Sequence, residues 1–526
     1  MCQCSEPTQC HHHLLLLPPT TSCPALGDRP RPSRRGGAAA DAEAASILRL
    51  AAPMVGAGLL MYTRSLVSML FLGGLPLSGG SLALGFANIT GYSVLSGLAA
   101  GMDPVCGQAF GAGRATVLSA ALRRTVALLL AASAPIALLW LAMRRLLLGA
   151  GQDPDIAAAA HDFILFSLPD LAVQSFLHPL RVFLRAQSVT LPLTYAAALA
   201  LALHVPINFL LVHSLRLGIR GVALGSVLTN LNFLLFLLAF VYLSGGLIPT
   251  NVVDAGDGKT AIADDGAGVE VEWGCLVKLS VQSCMSVCLE WWWYEIMVLL
   301  CGVLAEPKAA VAAMGIMIQT TSLLYIFPHA LSCAVSTRVG NELGAGRPER
   351  ARMAARVGVC GGAAMGLVAC AVAASVRNGV WARAFTGDDD VLRLASAALP
   401  ILGAAELGNC PQTAGSGVLR GSARPGTAAR INVTAFYGVG LPAALALAFW
   451  PARRDFAGMW VGMLAAQLVC AALMLRAVQS TDWDEQAARA RELTAGGGDA
   501  DVKSSGHADA AKVRADKGML VVTVLT

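Results

Sequence analysis

Long apolar runs decide what this chain can become. Windows of about 20 mainly apolar residues, each enough to cross a bilayer as a helix, recur roughly twelve times between Ile47 and Ala477, separated by short polar or Gly/Pro-marked breaks. Charged residues make up only 13% of the chain against 56% hydrophobic, and mean hydropathy is +0.63. That leaves too little polar surface to coat a soluble globule. The runs are rich in Ala, Leu and Val and poor in aromatics, so helices are favoured over the alternating strands of a barrel. The expected class is an all-α integral membrane protein with spans near 47–72, 82–102, 122–148, 156–177, 190–212, 222–243, 276–304, 311–335, 353–376, 392–407, 431–450 and 459–477.

One phrase occurs twice. Gly107-Gln108-Ala109-Phe110-Gly111-Ala112-Gly113-Arg114 returns as Gly340-Asn341-Glu342-Leu343-Gly344-Ala345-Gly346-Arg347, 233 residues later. A second element, Val182-Phe183-Leu184-Arg185, returns as Gly417-Val418-Leu419-Arg420 at an offset of 235. Two matches at nearly one spacing argue for duplication, and an even number of helices between the copies makes the halves parallel repeats. The chain divides into a tail (1–41) read as disordered, an N-lobe of six helices (42–243), a polar linker (244–273), a C-lobe of six helices (274–477) and a second tail (478–526) with a short helical piece at 483–493. Lys and Arg are in excess on the side that carries both termini, which sets that side as cytosolic. The net charge of +5 is scattered and is no nucleic-acid footprint.

The fourteen Cys show no metal-type pairing and imply no disulfide framework. Cys2, Cys4, Cys10 and His11 to His13 read as a disordered leader, against a metal tail or acylated cysteines. No cofactor or metal is expected.

Two readings of the repeated phrase stand. Gly107, Gln108, Gly111 and Arg114, with Gly340, Asn341, Gly344 and Arg347, form either a gate and hinge on the cytosolic face or a pair of ordinary structural turns. Acidic residues inside apolar spans carry more information, because an ionised carboxylate in a bilayer is costly and faces a cavity or a partner. Four stand out: Asp170, Glu290, Glu295 and Glu406. A carboxyl group in an apolar setting favours its neutral form, so one that meets water in a single state can take up a proton there and release it in the other. Glu290 and Glu295 are about 140° apart around a helix and do not share a pocket. Glu290, nearer the centre of its span, is the favoured coupling group. Permanent pairing to a neighbouring helix is the competing reading for all four, and the stronger one for Glu295 and Asp170. Gly408 and Pro411 are expected to loosen or break the tenth span. Tyr294, Tyr325, Asn409, Asn432 and Trp291 to Trp293 are candidates to line an amphipathic cavity. His178, His204 and His329 favour packing over a proton relay, and Arg64 snorkels or pairs internally.

The strings Leu50-Ala51-Ala52-Pro53-Met54, Gly101-Met102-Asp103-Pro104-Val105-Cys106-Gly107-Gln108, Cys288-Leu289-Glu290-Trp291-Trp292, Ser336-Thr337-Arg338-Val339-Gly340-Asn341-Glu342 and Val418-Leu419-Arg420-Gly421-Ser422-Ala423-Arg424-Pro425 occur in this order. On them the chain resembles plant members of the multidrug and toxic compound extrusion (MATE) family, the DETOXIFICATION proteins. The resemblance implies a twelve-helix, two-lobe antiporter that exports small organic compounds in exchange for protons, with a C-lobe cation site on Glu290 and Glu406 supported by Asn409. Some prokaryotic relatives carry an Asp in helix one. This chain has none between Ile47 and Leu72, so an N-lobe proton site is not carried over and Asp170 is left a local role.

The resulting expectation is a monomeric transporter of a small organic substrate and protons in the plasma, vacuolar or endosomal/Golgi membrane. A lipid flippase of the same superfamily is the alternative and requires a strongly basic N-lobe cavity, for which Arg64 alone is a poor candidate. An intramembrane enzyme is third: no HExxH occurs, and Ser416 has no suitably placed His.

Overall fold

The computed structural model describes residues 35–71, 75–149, 151–244, 272–376, 380–449 and 455–495. Twelve of its helices are long and apolar enough to cross a membrane. In chain order they are α1 (Gly37–Ser68), α2 (Gly79–Gly111), α3 (Ala115–Leu141), α4 (Pro154–Ala186), α5 (Leu191–Ser214), α6 (Ile219–Leu243), α7 (Trp273–Cys301), α8 (Pro307–Gly344), α9 (Pro348–Ser375), α10 (Asp389–Gly421), α11 (Pro425–Phe449) and α12 (Phe456–Gln479). A shorter polar helix, α13 (Trp483–Ala495), follows. Starts carry recognisable signals. Asp153 and Asp388 accept backbone N–H bonds at the heads of α4 and α10, and Pro occupies the first turn of α4, α5, α8, α9 and α11.

Several spans are longer than hydropathy indicated. α10 does not end near residue 407; it runs unbroken through Gly408 and Pro411 to Gly421. A Cβ at Gly408 would lie 2.6 Å from the Gln467 carbonyl oxygen, so this glycine serves close packing against α12 and not a break. α2 and α8 likewise continue into their repeated phrases, and helix begins at Arg35 inside the segment assigned to the first tail. The physical reason is common to α2, α8 and α10. Polar residues that face protein end an apolar window without ending a helix. The Cys2 to His13 leader and most of the linker lie outside the described residues.

Each lobe packs about its own apolar centre. In the N-lobe, Phe183 and Phe233 anchor one cluster and Leu95, Trp140 and Ile164 another; in the C-lobe, Trp293, Phe436 and Trp460 do so. A further cluster joins the halves, bringing Ile47 and Leu50 of α1 against Leu331 and Val335 of α8 and Trp483 of α13. α5 and α11 both widen into a π-type turn, at Phe209–Ser214 and Val433–Gly440, so the duplication reaches backbone detail.

The copies of the repeated phrase do more than punctuate. Gly113 and Gly346 take φ of 72° and 68° and cap α2 and α8 in the left-handed conformation. The helical parts of the two copies cross backbone to backbone: a Cβ at Gly111 would lie 2.0 Å from the Asn341 carbonyl oxygen, and one at Gly344 2.0 Å from that of Gln108. Only glycine permits that approach.

Candidate functional site

Between the lobes lies a cavity of about 620 Å³, within the size range of small-molecule sites. α4 presents a polar stripe to it, Ser167, Asp170, Gln174, His178, Arg181 and Arg185, spaced three or four residues apart so that one helical face carries all six. Glu290 and Trp291 of α7 and Tyr325 and His329 of α8 line the opposing part.

The C-lobe carboxylates are joined through amides. The Gln412 side chain donates to Glu290 Oε1 at 3.3 Å and to Asn409 Oδ1 at 3.3 Å, and Asn409 donates to Glu406 Oε2 at 2.9 Å. The Cys410 thiol also reaches Glu406, at 3.4 Å. Glu406, Asn409, Cys410 and Thr413 recur at helical spacing on one face of α10, which is why these four residues meet. Glu406 is 2% exposed and lies behind the cavity wall, whereas Glu290 lines it. Among the described residues neither carboxylate forms an ion pair.

The N-lobe holds a differently balanced cluster. Asn230 of α6 donates to both Asp170 oxygens, at 2.9 and 3.0 Å, while its own carbonyl oxygen accepts from Arg64 Nη1 at 2.8 Å. Gln174 reaches Asp170 at 3.4 Å. Arg64 therefore pairs internally and does not snorkel.

On the side of both chain ends the lobes are tied by reciprocal bonds. Gln108 donates to the Gly421 carbonyl at 3.0 Å and Asn341 to that of Ala186 at 3.3 Å, so each copy of the phrase grips the residue after the repeated Arg of the other lobe. Those arginines converge as well: Arg185 bonds Asp103, and Arg420 lies 3.5 Å from it. Arg338 holds Glu43 of α1 bidentately at 2.8 Å and Glu342 at 2.8 Å. Arg114 donates to the Thr494 carbonyl of α13 at 2.6 Å, and Arg347 lies 3.9 Å from Glu342.

Other sequence candidates separate. Tyr325 lines the cavity, but Tyr294 packs against the C-lobe core, and Asn432 is buried, donating to the Ser286 carbonyl at 2.9 Å. Glu295 faces α2, where a Cβ at Gly85 would lie 3.9 Å from it. The three tryptophans diverge with the helical turn: Trp291 lines the cavity, Trp292 donates to the Ile89 carbonyl at 3.1 Å, and Trp293 is fully buried. His204 sits in a hydrogen-bonded group with Ser68 and Thr229, at 3.0 and 2.7 Å. His178 and His329 line the cavity. Pro411 stays inside an unbroken helix.

Gln412, Asn230, Gln174, Arg181 and Asp103 were not identified from sequence. The signal for those on α4 and α10 was the recurrence of polar residues at helical spacing within apolar spans. Asn230 and Asp103 carry no such signal, since what they touch comes from other helices.

A family model described as MatE matches residues 53–210 and 283–445. Protein DETOXIFICATION 49 of Arabidopsis thaliana is 55% identical over 455 residues, covering 86% of this chain and 88% of its own length. Protein DETOXIFICATION 52 of the same plant is 53% identical, with 86% and 87% covered. Among solved structures, the eukaryotic MATE transporter AtDTX14 superposes with a TM-score of 0.78 at 30% identity, covering 87% of this chain and 100% of that one. The Vibrio cholerae MATE transporter VcmN in its bent form shares the fold at a TM-score of 0.70 and 17% identity, covering 87% and 99%.

Proposed function

This chain belongs to the MATE family of multi-pass membrane transporters, and from that premise we propose that it exports or sequesters small organic compounds in exchange for protons by alternating access. It is a transporter and not an enzyme. The observation that carries the proton reading is the bridge Glu290–Gln412–Asn409–Glu406, in which one carboxylate meets the cavity, the other is sealed from it, and neither forms an ion pair among the described residues.

A carboxylate without a counter-ion in an apolar wall is held more cheaply as the neutral acid. Protonation of Glu290 from the acidic side removes its charge and weakens its grip on the C-lobe amides, and the resulting change of the C-lobe wall favours substrate release there. Deprotonation on the opposite side restores the bridge. Glu406 and Asn409 set the length of that bridge. Glu295 and Asp170 lie outside it.

The seam formed by Gly107, Gln108, Gly111, Gly340, Asn341 and Gly344 is the gate in this reading. The cytosolic side, assigned from the excess of Lys and Arg beside both termini, is closed here because the α2 and α8 backbones are in contact. Opening requires breaking the two reciprocal amide bonds and the Asp103 and Arg338 contacts. The protein works as a monomer, in the plasma, vacuolar or endosomal/Golgi membrane; localisation of a tagged chain decides among these.

The test is uptake of candidate solutes by proteoliposomes under an imposed pH gradient. Wild type accumulates solute only with the gradient, and Glu290→Gln does not; undiminished gradient-driven uptake in that variant removes the assignment. A lipid flippase draws support from Arg64, Arg181 and Arg185 on the N-lobe wall, more positive charge than the sequence indicated. Lipid scrambling in the same vesicles, without solute uptake, would select it.

A further inference from the structure

The charge of the cavity wall is unequal. Four guanidinium groups line it, Arg64, Arg181, Arg185 and Arg420, against two carboxylates, Asp170 and Glu290. Three of the four have protein partners. Arg185 and Arg420 share Asp103, which sits behind the wall, and Arg64 donates to Asn230. Arg181 has no such partner: among the described residues it makes no hydrogen bond and no ion pair, and its guanidinium lies over the Phe233 ring, 5.7 Å from the centroid. A second donor is also unspent, since Arg64 Nε is buried without a partner.

An unpaired guanidinium within membrane depth is expensive and marks a site where a counter-charge arrives from outside the chain. Chloride or water would satisfy a bare charge, but the surroundings ask for more. Phe233 supports Arg181 from beneath, and Trp291 and Tyr325 across the cavity offer aromatic rings to the body of a ligand. A guanidinium presents paired donors that match a carboxylate in its plane.

We propose that Arg181 anchors the anionic group of the transported compound, and that the substrates are aromatic organic acids carrying a carboxylate. The inference rests on the transporter reading above and names the chemistry of its cargo. Arg181 is the residue that selects charge, Trp291 and Tyr325 hold the ring, and Asp170, already satisfied by Asn230, attracts organic cations less strongly than its charge alone would suggest because Arg64 stands behind the same amide.

The test uses full-length protein in nanodiscs and three probes of one shape: 2-naphthoate, its neutral methyl ester and naphthylmethyl-trimethylammonium, measured by equilibrium dialysis. Wild type is expected to bind naphthoate more tightly than the ester by on the order of tenfold, the scale of a charge-assisted hydrogen-bonded pair. Arg181→Gln brings naphthoate down to the affinity of the ester, and Arg181→Lys restores part of the preference. Thermal unfolding of each variant shows whether it is folded, and the acid-to-ester ratio in wild type needs no variant. Tighter binding of the ammonium probe than of naphthoate, absence of naphthoate binding, or an unchanged acid-to-ester ratio in folded Arg181→Gln each overturns the proposal. Uptake of the ammonium probe driven by a pH gradient leaves the antiporter reading intact while removing this one. Naphthoate-selective binding without gradient-driven uptake does the reverse.

Discussion

The fourth helix of each lobe carries a carboxylate followed about one turn later by an amide, and the pairs sit in register: Asp170 with Gln174, and Glu406 with Asn409, offset by 236 and 235 residues. In the C-lobe that pair extends through Gln412 to a second carboxylate, Glu290, on α7. In the N-lobe it extends through Asn230 to a guanidinium, Arg64, on α1. The first helix of each lobe therefore contributes a group of opposite charge to the network around that pair. A doubled scaffold has become one half that accommodates an unpaired acid and one half whose acid is balanced. Duplication preserves backbone geometry; it does not preserve the charge state that geometry supports.

The largest expected effect tests that division directly. Glu290→Gln or Glu406→Gln should lower gradient-driven uptake on the order of a hundredfold, the scale of a lost proton-transfer group, while Asp170→Asn lowers it by less than about tenfold. Uptake in Asp170→Asn as poor as in Glu406→Gln would make the lobes equivalent and break the comparison. Next in size is the seam that both lobes build together. Gly111→Val and Gly344→Val place side-chain atoms where a carbonyl oxygen of the partner helix already lies 2.0 Å from the Cβ position. Each should keep the seam from closing and cut turnover about tenfold or more, a core-overpacking penalty of about 1–3 kcal/mol falling on the closed state alone. Cysteine accessibility from the side of the chain ends should rise in both variants. Unequal effects would show that the seam is less symmetric than its geometry.

Smaller changes sharpen the contrast. Arg64→Gln leaves Asp170 without its balancing charge and should destabilise the fold by about 1–3 kcal/mol, with Arg64→Gln/Asp170→Asn recovering most of the loss in thermal unfolding. Failure of the double variant to recover would mean that Arg64 acts through packing. Gln412→Ala removes the link between the two C-lobe carboxylates and should cost about 1 kcal/mol of coupling, a several-fold fall in uptake. Gln174→Ala, whose bond to Asp170 is long at 3.4 Å, should change uptake by less than twofold, about 0.4 kcal/mol or below.

Much of the molecule was legible beforehand. Twelve spans, two halves and the placement of Glu290 and Glu406 inside spans follow from residue types and spacing, because a bilayer penalises an exposed polar group heavily and leaves a strong pattern. The ends of the spans were less legible. Gly408 and Pro411 carry the usual marks of a break, yet α10 continues because its polar face is covered by protein and glycine admits α12. The run Trp291 to Trp293 reads as one feature in sequence and becomes three environments on a helix. Glu295, which helical spacing already set about 140° from Glu290, faces α2.

The sequence by itself determined the class, the helix count, the duplication and the presence of costly carboxylates, all properties of segments considered one at a time. Only the tertiary structure decided that the two glycine phrases meet across the lobes, that Gln412 links Glu290 to Asn409 and Glu406, that Asn230 stands between Arg64 and Asp170, and that Arg181 has no hydrogen bond or ion pair among the described residues. Pairing is a property of two helices at once. Hydrogen bonds reach about 3 Å, and no periodicity within one helix reports which side chain of another lies within that distance.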